Sequence, residues 1–515
     1  MEQWDNPRRW WALAALVLAA LTIGFDITIL NVALPTIAGE LSVGTDGLQW
    51  IVNAYVVVLA GLMLTCGALG DKYGRKLLLV VGLVLFAAAS ALAAWGDSAG
   101  VVIAARAGMG VGGAIILPVA FAVVAALFGP DERGRAVSLL VVGTGAGIPL
   151  GPLIGGYLLE HFWWGSIFLI NIPMAAIALT AIVLLMPETR DPAPRRLDLP
   201  GALLSTAGLV TLVYGIIEAP DRGWGDPLVL GLLALAAVLL FAFGAWELRT
   251  EQPMIDLRWF ARRQFLWASL AGMLVSFTLL GMLFVLPQYL QDVAGHSAFG
   301  TGLRLLPMIG GLVVGAPLGE RLAAGGYRIP VGIGLLLSGA GLAVGATTDT
   351  GTSYGFVVVW LTAVGMGIGM ALSPAMDAVL DDLPSERSGA GTAITMTLRQ
   401  VGGALGVALL GSLLAQGYAD RVDTDGLPAP AADAANDSVA GGLAVAARLD
   451  LPELAASAQD AYMNGMTLVL IATGAVAILS AVLTTALLPG RPAVAAAAGT
   501  GAPDPAGGAP AGKTA

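Results

Sequence analysis

Cysteine and histidine are nearly missing from this chain. Cys66 stands alone, which excludes an intrachain disulfide and a cysteine metal cluster. His161 and His296 lie far apart, so no histidine metal site is expected. Charge is scarce too: Asp, Glu, Lys and Arg make up 12% of the residues, against roughly 25% in soluble domains. Lysine is rarer than arginine, and with the abundant Ala and Gly this points weakly to a GC-rich bacterial source. The formal charge of −10 gives no reason to expect a nucleic-acid partner, because the acidic residues sit mainly between apolar stretches. No nucleophile elbow or metal-ligand cluster is present, so the chain is not expected to be an enzyme. A cleavable signal is also lacking, since Arg8 and Arg9 lead straight into an apolar run. Gly507, Gly512, Lys513 and Thr514 fit a phosphate-loop pattern. That loop needs a strand before it and a helix after it. The Ala/Gly/Pro-rich end offers neither, so ATP is not the expected fuel.

What is abundant is apolar surface. Hydrophobic residues make up 57% of the chain, in runs near the ~20 residues needed to cross a bilayer. These predict an all-α integral membrane protein with fourteen spans. They fall near 10–37, 47–67, 77–95, 100–128, 136–157, 164–186, 198–218, 226–247, 264–290, 300–320, 329–347, 353–379, 388–416 and 461–488. An even count puts both ends on one side. One set of loops carries Lys72, Arg75, Lys76, Arg133, Arg135, Arg190, Arg195, Arg196 and further arginines as far as Arg387, whereas the opposite set has only Arg222, Arg421 and Arg448. Positive charge stays inside, so both ends are expected in the cytoplasm. A Pro- and Arg-rich connection at 187–197 follows six spans. The expected division is therefore a six-helix bundle over 1–190, two inserted spans with basic linkers over 191–260, a second six-helix bundle over 261–489, and a disordered tail over 490–515. The two bundles are expected to be repeats around a midplane site, and the stretch Gly67–Lys76 has a faded counterpart at Gly319–Arg328. Residues 417–459 read as a solvated, partly disordered outside loop, whose acidic residues could also attract cationic substrates.

One stretch organises the rest. Between Gly143 and Gly156 lie six glycines and two prolines inside an apolar run, a composition that would ruin a soluble helix but is tolerated in a membrane. Gly147, Gly151 and Gly155 recur every four residues and so share one face, open to a closely approaching helix. Pro152 removes a backbone donor and kinks the helix. The run Gly147, Gly151, Pro152, Gly155, Gly156 resembles the fifth-span antiporter motif G-x-x-x-G-P-x-x-G-G of major facilitator drug:proton antiporters. Gly67–Lys76 resembles the superfamily signature G-x-L-A-D-r-x-G-r-k, with Gly70 in place of alanine. By that resemblance Gly67, Asp71, Gly74 and Arg75 form a cytoplasmic gate. Asp71 would sit near a helix N-terminus of the other half, and Arg75 would pair with Asp131 or Glu132.

Phe25–Pro35 resembles the first-span motif L-D-x-T-I-x-N-V-A-L-P, with Phe25 replacing leucine. Asp26 within it is costly at mid-span, by about 2.5–3.5 kcal/mol on an insertion scale, and such a residue is a functional candidate by default. Burial favours its neutral form and a nearby cation its charged form, which makes a switchable proton site. Arg106, in a fourth-span stretch resembling R-x-x-q-G-x-G-a-a with Met109 for the glutamine, is its expected partner. Arginine stays charged and cannot itself carry the proton. Asn171 and Pro173 match an I-N-x-P pattern, but the arginine usual before it is missing.

Asn31, Trp50, Asn53, Tyr55, Gln288, Tyr289, Met370 and Asp377 are candidates to line a substrate cavity, with Glu218 and Asp292 as secondary acidic candidates. Asp377 and Arg399 could form a second coupled pair. The resemblance implies the major facilitator fold in its fourteen-span form, and a proton-coupled antiporter of the bacterial inner membrane. It implies export of lipophilic, often cationic, drugs, biocides or antibiotics by a monomer in the lipid bilayer. No cofactor or metal is implied; protons and drug-like small molecules are the partners. The alternatives are an uptake symporter on the same fold, or a membrane sensor or enzyme. The antiporter motif argues against the first, and the missing catalytic patterns against the second.

Overall fold

In hydrocarbon every backbone polar group must be paired within the chain, so apolar runs of this length become helices. The computed structural model describes residues 8–128, 130–190, 198–251, 253, 256–382 and 388–489, and among them there is no strand. The tail at 490–515 with its phosphate-loop pattern, Arg195, Arg196 and Arg387, and the side chains of Asp131, Arg133 and Arg135, lie outside the described residues.

The first part of the chain forms α1 (Arg8–Leu41), α2 (Thr45–Tyr73), α3 (Arg75–Ala94), α4 (Ala99–Leu127), α5 (Pro130–His161), α6 (Ser166–Leu169) and α7 (Asn171–Leu185). A hairpin follows, α8 (Leu199–Arg222) and α9 (Pro227–Arg249). The remainder is α10 (Arg263–Gln288), α11 (Ala298–Arg304), α12 (Leu306–Ala323), α13 (Arg328–Gly345), α14 (Tyr354–Asp381), α15 (Ser388–Ala419), α16 (Ala429–Asp437), α17 (Val439–Leu449) and α18 (Pro452–Leu487). Thirteen helical stretches among the described residues are long and apolar enough to cross a membrane. α5, with 32 residues, has the length of the expected fifth span but is not counted among them.

Helices α1 to α7 pack among themselves: α1 lies on α5 and α7, α2 on α4, and α3 on α4 and α7. A second set packs likewise, α12 and α13 on α14, α10 on α15, and α13 on α18. The sets meet where α2 touches α15, α5 touches α11 and α1 touches α10, while α8 lies against α2 and α15. Two connections each place a glycine at nearly the same positive φ. Gly74 joins α2 to α3 at φ +120°, and Gly326 precedes α13 at φ +119°. L side chains rarely adopt such angles. The glycine of the signature and that of its counterpart thus share a positive φ that suits glycine, within connections of different length.

Two expected spans carry a local interruption, and one sequence expectation needs correction. The expected sixth span is one apolar stretch, Ser166–Leu185, in which α6 and α7 are separated only by Ile170, whose backbone stays helical. The tenth is likewise one apolar stretch, Ala298–Ala323, in which α11 and α12 are separated only by Leu305 in the helical region. Residues 417–459 are not an irregular loop. They hold α16, α17 and the first turns of α18, around a small core of Ala431, Ala435, Val445, Ala446 and Leu454. Tyr418 binds this cap by donating its hydroxyl to the Ala435 and Ser438 carbonyls at 2.7 and 3.1 Å.

Candidate functional site

The interior of the first bundle holds one ion pair sealed from solvent. Asp26 on α1 is 0% exposed and Arg106 on α4 is 1% exposed. Arg106 Nη1 donates to Asp26 Oδ2 at 2.5 Å, and Asn171 Nδ2 donates to Asp26 Oδ1 at 2.9 Å. Both carboxylate oxygens are thus held, one by a cation and one by a neutral amide. The guanidinium is fixed in turn: its Nε donates to the Ile51 carbonyl at 3.1 Å, and its centre lies 4.3 Å from the centre of the Tyr55 ring. Asn171 also reaches the Ser90 hydroxyl at 3.4 Å. Four helices, α1, α3, α4 and α7, plus α2 beneath the arginine, therefore converge on one carboxylate. Removing one partner of such a pair costs about 3–5 kcal/mol, because a buried charge is left uncompensated.

The glycine face of α5 abuts the same stretch of α1. A Cβ on Gly147 would collide with the backbone of Gly24 and Phe25, one on Gly151 with Thr28 and the Ile29 nitrogen, and one on Gly155 with Ile29. Thr28, two residues from Asp26, donates its hydroxyl to the Gly147 carbonyl at 2.9 Å. Farther along α5, a Cβ on Gly156 would strike Ala298 and Phe299 of α11, while one on Gly302 would strike the Pro152 carbonyl. One helix thus touches the carrier of Asp26 with one part and the second bundle with another. At the same end, Gln291 Nε2 donates to the Val32 carbonyl at 2.8 Å. The bundles are in contact at the end that bears the cap.

Several cavity candidates are buried polar groups with orphan atoms. Asn53 has both amide atoms unpartnered, Asn31 its carbonyl oxygen and Tyr55 its hydroxyl. Buried polar atoms are normally satisfied, so water or a bound molecule is the natural partner of these. Trp50 instead meets Tyr214 of α8 edge to face at 5.7 Å. Gln288 turns back onto the Phe284 carbonyl, Tyr289 and Met370 are buried, and Asp377 is exposed. Arg399 donates to Ser276 at 3.2 Å and is not brought to Asp377. Glu218 pairs with Arg222 one turn on, at 2.7 Å.

Among the described residues the gate candidates make these contacts, with the Asp131 side chain outside them. Arg75 pairs with Asp71 at 2.8 Å, while Glu132 pairs with Arg9 at 2.9 Å. The anion at the start of α3 is Glu188, which accepts from the Lys76 and Leu77 nitrogens at 3.1 and 3.3 Å. That position suits negative charge. A Cβ on Gly74 would press on the same carboxylate.

Asn171 was recognisable only as part of a pattern, and its contact with Asp26 was not. The sequence signal was a polar residue opening an apolar helix. Glu188, Ser90 and the stacking of Tyr55 on Arg106 gave no signal in the sequence.

Comparison with known proteins agrees with this architecture. The Major Facilitator Superfamily profile matches residues 16–407. The tetracenomycin C resistance and export protein of Streptomyces glaucescens is 32% identical over 491 residues, covering 92% of this chain and 90% of that protein. The multidrug efflux pump LfrA of Mycolicibacterium smegmatis is 33% identical over 480 residues, covering 89% and 92%. Among solved structures, a bacterial homologue of the human lysosomal transporter Spinster, inward-facing and unoccupied, matches with a TM-score of 0.67 at 18% identity, over 94% of this chain and 98% of that one. Profile, relatives and helical arrangement agree: this chain belongs to the Major Facilitator Superfamily.

Proposed function

We propose that this protein exports lipophilic, often cationic, drugs, biocides or antibiotics across the bacterial inner membrane in exchange for protons. One observation carries the coupling: a carboxylate sealed inside a bundle, with one oxygen on a permanent cation and the other on a neutral amide. Such a group can be switched between its two forms by small movements of its partners. Asp26 takes the proton, and Arg106 stabilises the carboxylate once the proton has left. Substrate and proton compete for this end of the cavity, near Asn31, Asn53 and Tyr55. A proton entering down ~100 mV supplies about 2.3 kcal/mol per charge. The relatives named for drug efflux and for resistance and export support the substrate class.

The halves, 1–190 and 261–489, rock around this site by alternating access, with 191–260 as an inserted hairpin. The smooth face of α5 lets α1 slide while water stays out, and the Asp71–Arg75 pair works with Gly67, Gly74, Asp131 and Glu132 as the cytoplasmic gate. Both ends lie in the cytoplasm, the transporter works as a monomer, and it needs no cofactor. Everted membrane vesicles test this. Respiration should drive accumulation of a fluorescent lipophilic cation, and an uncoupler should collapse it. Proton-driven movement in the opposite direction would indicate an uptake symporter. A folded protein that moves nothing would indicate a sensor or enzyme.

A further inference from the structure

A second carboxylate is buried where the mechanism above does not use it. After Pro287, helix α10 runs into a π-helical turn, Tyr289–Val293, that carries Asp292. The turn closes with the Ala294 nitrogen donating to Tyr289 and the His296 nitrogen to Leu290, both at 2.9 Å, around Gly295 at φ +68°. π-turns are rare and concentrate at functional sites. Here the widened turn aims a carboxylate into protein. Asp292 Oδ2 is shielded from solvent and accepts no hydrogen bond, although the residue as a whole is partly exposed.

Its hydrogen-bonding neighbours are neutral, and Asp349 lies within electrostatic reach of Tyr289 in the turn. From α18, Gln459 donates to the Asp292 main-chain carbonyl at 3.3 Å, and Tyr462 donates its hydroxyl to the Val285 carbonyl at 2.8 Å. Tyr289 is in the turn itself. Among the charged residues nearby, Arg304 on α11 has its guanidinium over the Tyr354 ring at 5.2 Å and on the Gly300 carbonyl. Arg448 lies in the last turn of α17, and His296 follows the π-turn. Among the described residues Asp292 forms no ion pair. An ionised oxygen without a donor is costly to bury, and the cheapest partner for it is a proton. The turn is also tied to α1, because Gln291 donates to the Val32 carbonyl six residues beyond Asp26.

We infer that Asp292 is a second protonation site of the transport cycle, placed at the cap-bearing end of the second bundle and linked through Gln291 to the helix that carries Asp26. Its part in transport rests on the proton-coupled reading above; its protonation does not. Proton uptake there adds no bond other than O–H and needs no co-reactant.

The test is infrared difference spectroscopy of the full chain in lipid nanodiscs, titrated with pH, on wild type, Asp292→Asn, Asp292→Glu and Asp26→Asn. Asp292→Asn should remove one neutral-carboxyl band that Asp26→Asn leaves in place, and Asp292→Glu should restore a band at shifted frequency. A merely structural Asp292 would leave the titrating bands unchanged in Asp292→Asn, and that result overturns the inference. The same samples in proteoliposomes give the charge moved per substrate, which should change in Asp292→Asn. The spectrum reads Asp292 whether or not transport is proton-driven. Proton-independent efflux by the wild type would therefore count against the functional proposal and the transport role of Asp292 but not against its protonation, and an unchanged spectrum would count against the protonation of Asp292 alone.

Discussion

Replacing Gly147 by alanine adds one methyl group, and the structure says where it must go. The new Cβ would lie inside the contact radius of the Gly24 carbonyl carbon and the Phe25 nitrogen. These are backbone atoms, so no rotamer change can relieve the clash; α1 and α5 must move apart. Thr28 would also lose its 2.9 Å bond to the Gly147 carbonyl. Overpacking of this kind costs about 1–3 kcal/mol. If that penalty falls on the state with α1 and α5 closed, turnover should drop by about 5- to 160-fold. Gly145 is the control, since a Cβ there meets nothing within 4 Å. Gly145→Ala should transport normally and be slightly more stable, because alanine favours helix over glycine by up to about 1 kcal/mol. Initial rates of drug efflux in proteoliposomes, at matched protein and lipid, compare the two variants, and thermal unfolding separates lost turnover from lost fold. Equal rates in Gly147→Ala and Gly145→Ala would refute close approach as the reason for the glycine run.

Other outcomes follow from the same contacts. Arg106→Ala should lower stability by about 3–5 kcal/mol by stranding a buried carboxylate and abolish coupled efflux, while Arg106→Lys should recover only part of the activity, since lysine lacks the planar fork; full activity in Arg106→Lys would contradict the geometry. At the cap, burial first, then Asp46 and Asp433, push the Asp437 carboxyl above its ordinary value. The folded cap therefore favours the protonated form, so its stability is present at low pH and falls as pH rises through the folded value; hydrogen exchange of α16, corrected for its intrinsic rate, should speed up accordingly, and Asp437→Asn should remove that dependence. Reporter fusions after residues 190 and 430 should report opposite sides of the membrane; the same side for both would overturn the topology.

Much of the fold was readable because bilayer thickness dictates run length: nearly every apolar stretch near twenty residues became a helix. The short helices α16 and α17 were not readable. The Ala- and Asp-rich α16 and the Ala- and Gly-rich α17 are short, and their order comes from a five-residue core and from Tyr418, which lies 17 and 20 residues from the carbonyls it binds. The Asp26–Arg106 pair was foreseeable because each residue is an isolated charge inside an apolar span and needs a partner. Asn171 was harder, since a neutral amide at a helix start has many possible partners, and only the packing of α7 on α1 and α3 selects Asp26. The Arg75–Asp71 contact was not foreseen, because sequence spacing alone does not rank a carboxylate one helical turn away, across the Gly74 turn, above a distant one.

The central claim is that Asp26 carries the exchanged proton. Substrate-induced proton release from purified protein in weakly buffered solution, followed over a series of pH values, tests it most directly. Wild type should release protons when a lipophilic cation is added, and Asp26→Asn should lose that release while still binding neutral ligand. Release by Asp26→Asn equal to wild type would contradict the account and move the carrier elsewhere.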